Sequence, residues 1–372
     1  MVFSMAKSRI LAPWVGKEAK SAIYHCVSRV VERRFHFGAV EKEMFVELMR
    51  LYEAFSGVHV LSYCVMSNHF HVLVEVPPRP EENPSDAWLL ERVALVQSPA
   101  SVEMLRVQVA ARSGEGVTEE GRLAYEQLRE RYFARMWDLG QFMKVLKQRF
   151  SRWFNQKHKR KGTLWAGRYN SALVEDGYAA RVTAAYIDLN PVRAGMVKDP
   201  KDYRWSNYAE AVAGGGLARL GIGRVLERCD DEQSARELRS SMQVSDRYAW
   251  RTIAGRYRLS LYGDARAPGE SEQAKAMQGA KRSKRRGFSD EQIAREEARL
   301  GELSTHELLL SKVRYFVDGA VIGSRGFVDG VIEQLNSQKY WPKQRKAKSS
   351  HWQGMSQQGK NPLWSLRRLQ RE

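Results

Sequence analysis

The sequence predicts an α+β fold: a ferredoxin-like or RRM-like βαββαβ core, in which an antiparallel sheet carries helices on one face, plus a helical insertion and a helical C-terminal region. Two observations predict this core. Short runs of β-branched and aromatic residues alternate with segments whose apolar residues recur at helical spacing. The resulting order of strand, helix, two strands, helix and strand is typical of one sheet packed against two helices.

The first half of the core is a strand, a helix and a β-hairpin. The strand segments are rich in β-branched and aromatic residues, and the helix segment repeats apolar residues at i, i+3, i+4 and i+7. The predicted bounds are residues 22–31, 41–55, 58–65 and 69–76, with Gly57 ending the helix and Met66-Ser67-Asn68 forming the hairpin turn.

Residues 79–138 form an insertion in the core. The prolines that follow residue 76 end the third strand, and the insertion begins there. This segment carries eight basic and eleven acidic residues, and we interpret it as a helical insertion rather than a catalytic unit. The core then resumes with a helix at residues 139–158, a loop and strand at 162–174, and a helix at 176–190 that Asp176 caps and Pro191 ends.

The net charge of the 372-residue chain is strongly positive, at +18 with a pI of about 9.8. Such an excess predicts a polyanionic partner, most simply a nucleic acid, although a ribosome-associated or membrane-surface protein shares this property. Because the insertion is net acidic, the binding surface is expected outside it.

The cysteine spacing and the apolar pattern predict where the protein is found. The three cysteines are far apart, so no disulfide framework is expected. Neither a transmembrane run nor a signal peptide is expected, and we therefore expect a cytoplasmic protein.

His69 and His71 are two residues apart on the third predicted strand. Side chains alternate between the faces of a strand, so both imidazoles point the same way, while Phe70 and Val72 point toward a core. A histidine pair of this kind suits a divalent metal ion. The pattern is also compatible with an incidental pair on a half-exposed strand.

Basic and aromatic residues follow the core strands and the helix at 139–158. A basic helix face that leads into an aromatic, basic loop predicts contact with a nucleic-acid backbone, and aromatic rings there can stack on unpaired bases. A solvated helix face and core aromatics remain alternatives. The candidate DNA-binding residues are Arg29, Arg33, Lys144, Lys147, Arg149, Arg152, Lys161, Trp165, Arg168, Tyr169 and Arg193.

Tyr186 and Asn190 lie four residues apart on the helix at 176–190, which places them on the same helix face. Taken alone, this pair is more typical of a core tyrosine followed by a C-capping asparagine. The surrounding block, Tyr186-Ile187-Asp188-Leu189-Asn190-Pro191-Val192-Arg193-Ala194-Gly195, follows the earlier blocks His69-Phe70-His71 and Trp165-Ala166-Gly167-Arg168-Tyr169.

These three blocks, in this order, resemble the HUH single-tyrosine transposases of the IS200/IS605 type, and most closely the REP-associated tyrosine transposases. The resemblance covers about residues 20–210 and implies a Mg²⁺ or Mn²⁺ ion held by His69, His71 and Asn190. It further implies that Tyr186 attacks single-stranded DNA near a hairpin and forms a 5′-phosphotyrosine. That family includes both dimers and monomers, so either state is open.

The remaining chain departs from the compact family form. We expect a basic arm (1–20), a catalytic domain (21–213), a helical segment with a basic linker (214–287), a small helical domain (288–338) and a basic tail (339–372). Two other functions stay open at this stage: a non-catalytic protein that binds DNA hairpins, and an RNA-binding regulator on the same scaffold.

Overall fold

The protein is described here from a computed structural model that defines residues 10–31, 37–113, 117–227, 246–263, 319–338 and 364–367. Arg33 lies outside the described residues, as does most of the basic tail. So do residues 264–287 of the predicted helical segment with its basic linker and residues 288–318 of the predicted small helical domain. Within the described part of the chain, no helix is both long and apolar enough to cross a membrane.

Among the described residues, six strands form one sheet in the order β2-β3-β1-β4-β5-β6. Its first four strands pair antiparallel and come from the predicted core, with β3 between β2 and β1. This is the ferredoxin-like order, so the predicted fold class is confirmed. The strands are β1 (Ala22–Arg29), β2 (His59–Val65), β3 (His69–Val76), β4 (Asn170–Val174), β5 (Gly319–Gly323) and β6 (Trp364–Arg367).

One face of the sheet is covered by the two core helices, α1 (Ala39–Ser56) and α5 (Leu139–Lys157). The alternate strand residues Phe70 and Val72 point into this layer, where Phe45 and Phe150 pack against each other with ring centroids 5.2 Å apart. Between α1 and α5 the insertion forms α2 (Asp86–Ala94), α3 (Pro99–Ala110) and α4 (Glu119–Phe133). Leucine, valine and phenylalanine side chains of these helices join the same core.

The opposite face is covered by helices that follow the core. They are α6 (Tyr178–Asp188), the short α7 (Asn190–Arg193), α8 (Asn207–Ala213), α9 (Gly216–Glu227) and α10 (Asp246–Gly263). Apolar side chains of α6, α9 and α10 form a second core with Leu61 and Leu73 of the sheet. The sheet is therefore buried on both faces, and α6 is held against β2 and β3.

The ends of α6 differ from the sequence prediction. Gly177, with φ 78°, is the N-cap rather than Asp176, whose Oδ1 accepts a hydrogen bond from the Gly177 amide at 2.8 Å. The helix ends at Asp188, and Pro191 lies in the first turn of α7 instead of terminating a longer helix. Proline fits there because the first turn of a helix needs no amide donor.

Of the small helical domain predicted at residues 288–338, the structure describes only residues 319–338, and these are a strand and a helix. Gly319–Gly323 is strand β5, which pairs parallel to β4 and so extends the core sheet. The helix that follows is α11 (Arg325–Ser337), and its N-cap Ser324 donates from Oγ to Glu175 Oε1 at 2.6 Å. Helical periodicity cannot identify such a five-residue apolar run. Trp14, which lies within the expected basic arm at residues 1–20, is buried in the core.

Asp188, the last residue of α6, links this helix to its neighbours by hydrogen bonds, and its carboxylate is fully buried. It accepts hydrogen bonds from the Tyr257 hydroxyl at 2.7 Å, the Tyr208 amide at 3.0 Å and the Ser62 hydroxyl at 3.3 Å. Burial outweighs these hydrogen bonds and raises the pKa of Asp188 to about 7. The folded state therefore binds this proton more tightly than the unfolded state does.

We predict that Asp188 makes the protein less stable as the pH rises. A raised carboxyl pKa contributes stability that is complete below the unfolded value of 3.8 and is lost as the pH approaches about 7. One pKa unit corresponds to about 1.4 kcal/mol, so the loss is a few kcal/mol. Chemical denaturation at pH 4, 5.5, 7 and 8 should show that the unfolding free energy of the wild type, relative to that of Asp188→Asn, falls as the pH rises, because the buried histidines titrate alike in both proteins and cancel. Parallel pH profiles would contradict this prediction.

Candidate active site

The sheet register places the two predicted histidines on the face that α6 covers. In the β1–β3 pairing, His69 is opposite Arg29 and His71 is opposite Val27, so all four side chains share one face. The rings of His69 and His71 have centroids 5.1 Å apart. His69 is half-buried at the start of β3, whereas His71 is only 2% exposed.

Tyr186 lies on α6 directly against this histidine pair. The centroid of its ring is 5.9 Å from that of His71, and the ring is only 1% exposed. The guanidinium of Arg193, which follows in α7, lies 4.6 Å from the Tyr186 ring centroid. More than 100 residues of sequence separate the tyrosine from the histidines, and the fold brings them together.

His25 is a site residue that the sequence interpretation did not select. It lies on β1, it is 1% exposed, and its Nε2 is 3.0 Å from Nδ1 of His71. Its ring centroid is 6.2 Å from that of Tyr186. Strand alternation alone places His25 on the same face as Arg29, but the contact with His71 depends on the strand register, which the sequence does not reveal.

All three imidazoles are neutral at physiological pH. Burial lowers the pKa of His25 to about 4, and burial together with the charge of Arg29 does the same for His69. Burial is the main reason that the pKa of His71 lies well below its usual range, and repulsion from the neighbouring His69 and His25 lowers it further. Neutral imidazoles have a nitrogen lone pair available for a metal ion, so the set does not need to lose protons before binding one.

Asn190 lies one turn after Tyr186, where its amide nitrogen Nδ2 donates to the carbonyls of Tyr186 at 3.0 Å and Ile187 at 3.3 Å. This is the C-capping arrangement that the sequence left open for Asn190. Because Nδ2 is the donor in both contacts, the oxygen Oδ1 is the atom of this side chain that suits a cation.

The donor set fits a weakly held divalent ion. His69 and His71 offer imidazole nitrogens, and Asn190 offers an amide oxygen. Within the described residues, no cluster of three or more histidine, cysteine, aspartate or glutamate side chains forms a metal site. A set without carboxylates is electrically neutral, so phosphate oxygens of a substrate are suitable further ligands for Mg²⁺ or Mn²⁺.

A basic groove of about 1010 Å³ lies between α5 and the loop at residues 162–169. The exposed cations of Lys144, Arg152 and Arg168 line it. Its loop adjoins the end of β1, because Trp165 bridges Val30 and the Ala166 amide donates to the Arg29 carbonyl at 2.9 Å. The groove therefore approaches the histidine face at Arg29.

Three of the candidate DNA-binding residues in this region serve the fold. Trp165 and Tyr169 are 7% and 6% exposed, so their ring faces are not open for stacking on bases. The Lys147 ammonium donates to the Gly167 carbonyl at 2.9 Å, which fixes the loop. These rings are the core aromatics that the sequence left as an alternative. Arg149 and Lys161 are exposed but do not line the groove.

The fold and this site define a class of protein: a ferredoxin-like sheet that presents a histidine pair to a tyrosine on a separate helix. The model of the family "Transposase IS200 like" matches residues 18–83, which contain β1, α1 and the β2–β3 hairpin with both histidines. The resemblance to IS200-like transposases is thereby confirmed.

One solved structure with a similar chain is that of a REP-associated tyrosine transposase bound to a REP hairpin. The two chains are 13% identical, with a TM-score of 0.32, and the match covers 57% of this chain and 87% of that one. No curated protein matches the chain.

Proposed function

We propose that this protein is a metal-dependent DNA strand transferase that cleaves and rejoins single-stranded DNA near hairpin sequences through Tyr186. The observation that carries the proposal is the contact of the Tyr186 ring with His71, at a centroid distance of 5.9 Å. A nucleophile and a pair of metal-binding nitrogens so placed can act on the same phosphate.

In the proposed reaction, the phenol oxygen of Tyr186 forms a bond to phosphorus, and the bond from phosphorus to the 3′ oxygen breaks. The phenol loses its proton and the 3′ oxygen gains one, so the products are a 5′-phosphotyrosine and a free 3′-hydroxyl. The phosphodiester energy is kept in the new bond, and rejoining needs no nucleotide cofactor. Arg193, at 4.6 Å from the Tyr186 ring, supplies positive charge for the phosphate and for a phenolate.

A Mg²⁺ or Mn²⁺ ion held by His69, His71 and Asn190 would polarise the phosphate oxygens. The protein's own contribution is to keep both imidazoles neutral and to hold α6 against β2 and β3. The buried Asp188 supports this placement through the Ser62 hydroxyl of β2, 3.3 Å away.

The DNA would follow the basic groove toward the site. Lys144, Arg152 and Arg168 provide contacts to the backbone, and exposed Arg29 continues this charge onto the face that holds His69. Since phosphate contacts position a strand without reading its sequence, this groove supports binding but does not define a target sequence.

The direct test is covalent trapping. The full chain is incubated with labelled single-stranded DNA that carries a hairpin, with Mg²⁺, Mn²⁺ or EDTA, and resolved under denaturing conditions. We expect a protein–DNA adduct in the presence of either ion and none with EDTA. The absence of any adduct across a library of hairpin sequences would contradict the proposal.

We predict that the groove cations contribute to DNA affinity through charge. Each phosphate contact adds about 0.7 to the slope of log affinity against log salt for single strands, so Lys144→Ala with Arg152→Ala should lower the slope by about 1.4. Fluorescence anisotropy across a NaCl series measures this slope. The matched control is Arg106→Ala with Arg122→Ala, two exposed cations of the insertion, which should leave the slope unchanged. Equal slopes for the two double variants would exclude the groove as the binding surface.

A second candidate function is hairpin binding without cleavage. The burial of the Tyr186 ring, at 1% exposure, favours it because a nucleophile must reach the scissile phosphate. Tight binding of hairpin DNA without a metal-dependent adduct would support this alternative, and preference for RNA over DNA would point to the RNA-binding regulator.

A further inference from the structure

His25 contacts the histidine pair from the neighbouring strand, yet no step proposed above uses it. Its Nε2 lies 3.0 Å from Nδ1 of His71, and the two rings stack with centroids 5.2 Å apart. This contact engages one of the two ring nitrogens of His71. Only Nε2 of His71 is left to bind a metal ion.

The direction of this hydrogen bond decides whether His71 can be a ligand. If His25 donates from Nε2, a neutral His71 carries its proton on Nε2, where the metal would bind. If His71 donates from Nδ1, its Nε2 lone pair is available, and His25 carries its proton on Nδ1. Metal binding at His71 therefore requires His25 to be the acceptor.

Packing does not account for a histidine at this position. His25 is almost fully buried, and its Nδ1 has no hydrogen-bond partner among the described residues. A buried polar atom without a partner is destabilising, whereas a leucine of similar size would bury no polar atom. The residue is better explained by what its Nε2 does for His71.

His69 shows the same arrangement with a different partner. Its Nδ1 lies 2.7 Å from Oδ1 of Asn68, the last residue of the hairpin turn. An amide oxygen can only accept a hydrogen bond, so His69 carries its proton on Nδ1 and presents Nε2. Both histidines of the pair thus have a side chain that can accept a hydrogen bond from Nδ1.

We propose that His25 is a positioning residue that accepts a hydrogen bond from Nδ1 of His71 and thereby presents Nε2 of His71 to the metal ion, as Asn68 does for His69. This role rests on the proposed metal site. Acceptors behind metal-binding histidines fix the ring orientation and the tautomer, and their loss weakens metal binding about 10- to 100-fold.

The test measures Mn²⁺ binding to the full-length protein. Electron paramagnetic resonance gives the concentration of free Mn²⁺ and therefore the affinity. His25→Leu fills the space but accepts no hydrogen bond, so its affinity should fall about 10- to 100-fold. His25→Gln, whose amide oxygen can accept from His71, should bind Mn²⁺ close to the wild-type level. Ser28→Ala is the matched control, since Ser28 is a buried residue of β1 on the opposite face, and its affinity should not change.

Thermal unfolding of the metal-free variants separates this role from a structural one. His25→Leu should melt close to the wild-type temperature, because it removes the unpaired Nδ1 of His25 and leaves Nδ1 of His71 unpaired in its place. Wild-type Mn²⁺ affinity in His25→Leu, or an affinity of His25→Gln as weak as that of His25→Leu, would overturn the role of His25. A wild type that binds no Mn²⁺ would instead contradict the proposed metal site.

Discussion

The Tyr186→Phe variant is expected to form no covalent adduct with single-stranded hairpin DNA. The substitution removes the only atom of this side chain that can attack phosphorus and leaves the ring that packs near His71 and beneath Arg193. The loss should therefore be complete, while folding and hairpin binding stay close to wild type. Denaturing gels measure the adduct, and anisotropy measures the binding.

Tyr178→Phe is the matched control for this result. Tyr178 lies in the first turn of α6, on the same helix as Tyr186, and its ring is half-buried. We expect this variant to form the adduct at the wild-type rate. Adduct that persists in Tyr186→Phe, or that disappears equally in both variants, would refute the assignment of Tyr186 as the nucleophile.

The His69→Ala variant is expected to lose DNA cleavage while it keeps most of its DNA binding. His69 is half-buried at the start of β3, so its removal leaves no large cavity in either core. It would remove one of two imidazoles from a metal site that already lacks carboxylates. Because the basic groove lies outside this face, hairpin affinity should change little.

His59→Ala provides the comparison, since His59 is a half-buried histidine at the start of β2, outside the tyrosine site. It should cleave DNA normally at every Mn²⁺ concentration. His69→Ala should remain inactive, or recover only at much higher Mn²⁺. Undiminished cleavage by His69→Ala at low Mn²⁺ would show that this imidazole is not a ligand.

Local sequence patterns were sufficient to predict the core elements. The hairpin turn at Met66-Ser67-Asn68 and strand β3 appear as predicted, because alternation and turn chemistry are properties of neighbouring residues. The same alternation correctly placed Phe70 in the core and both histidines on the other face. The pairing of His71 with Tyr186 followed from the resemblance rather than from the pattern.

Features that depend on contacts distant in sequence were not predicted. His25 joins the site only through the β1–β3 register, and Trp165 is buried only because the loop at residues 162–169 folds back over α5. Strand β5 could not be assigned from five residues without knowledge that β4 would be beside it. In each case the missing information is the tertiary partner.

The most direct test of the central claim is to identify the residue that carries the DNA. The full chain is reacted with hairpin-bearing single-stranded DNA and Mn²⁺, then digested with a nuclease and a protease, and the modified peptide is sequenced by mass spectrometry. We predict a nucleotide attached through its 5′-phosphate to the phenol oxygen of Tyr186. A nucleotide attached to any other residue would contradict this account of the site.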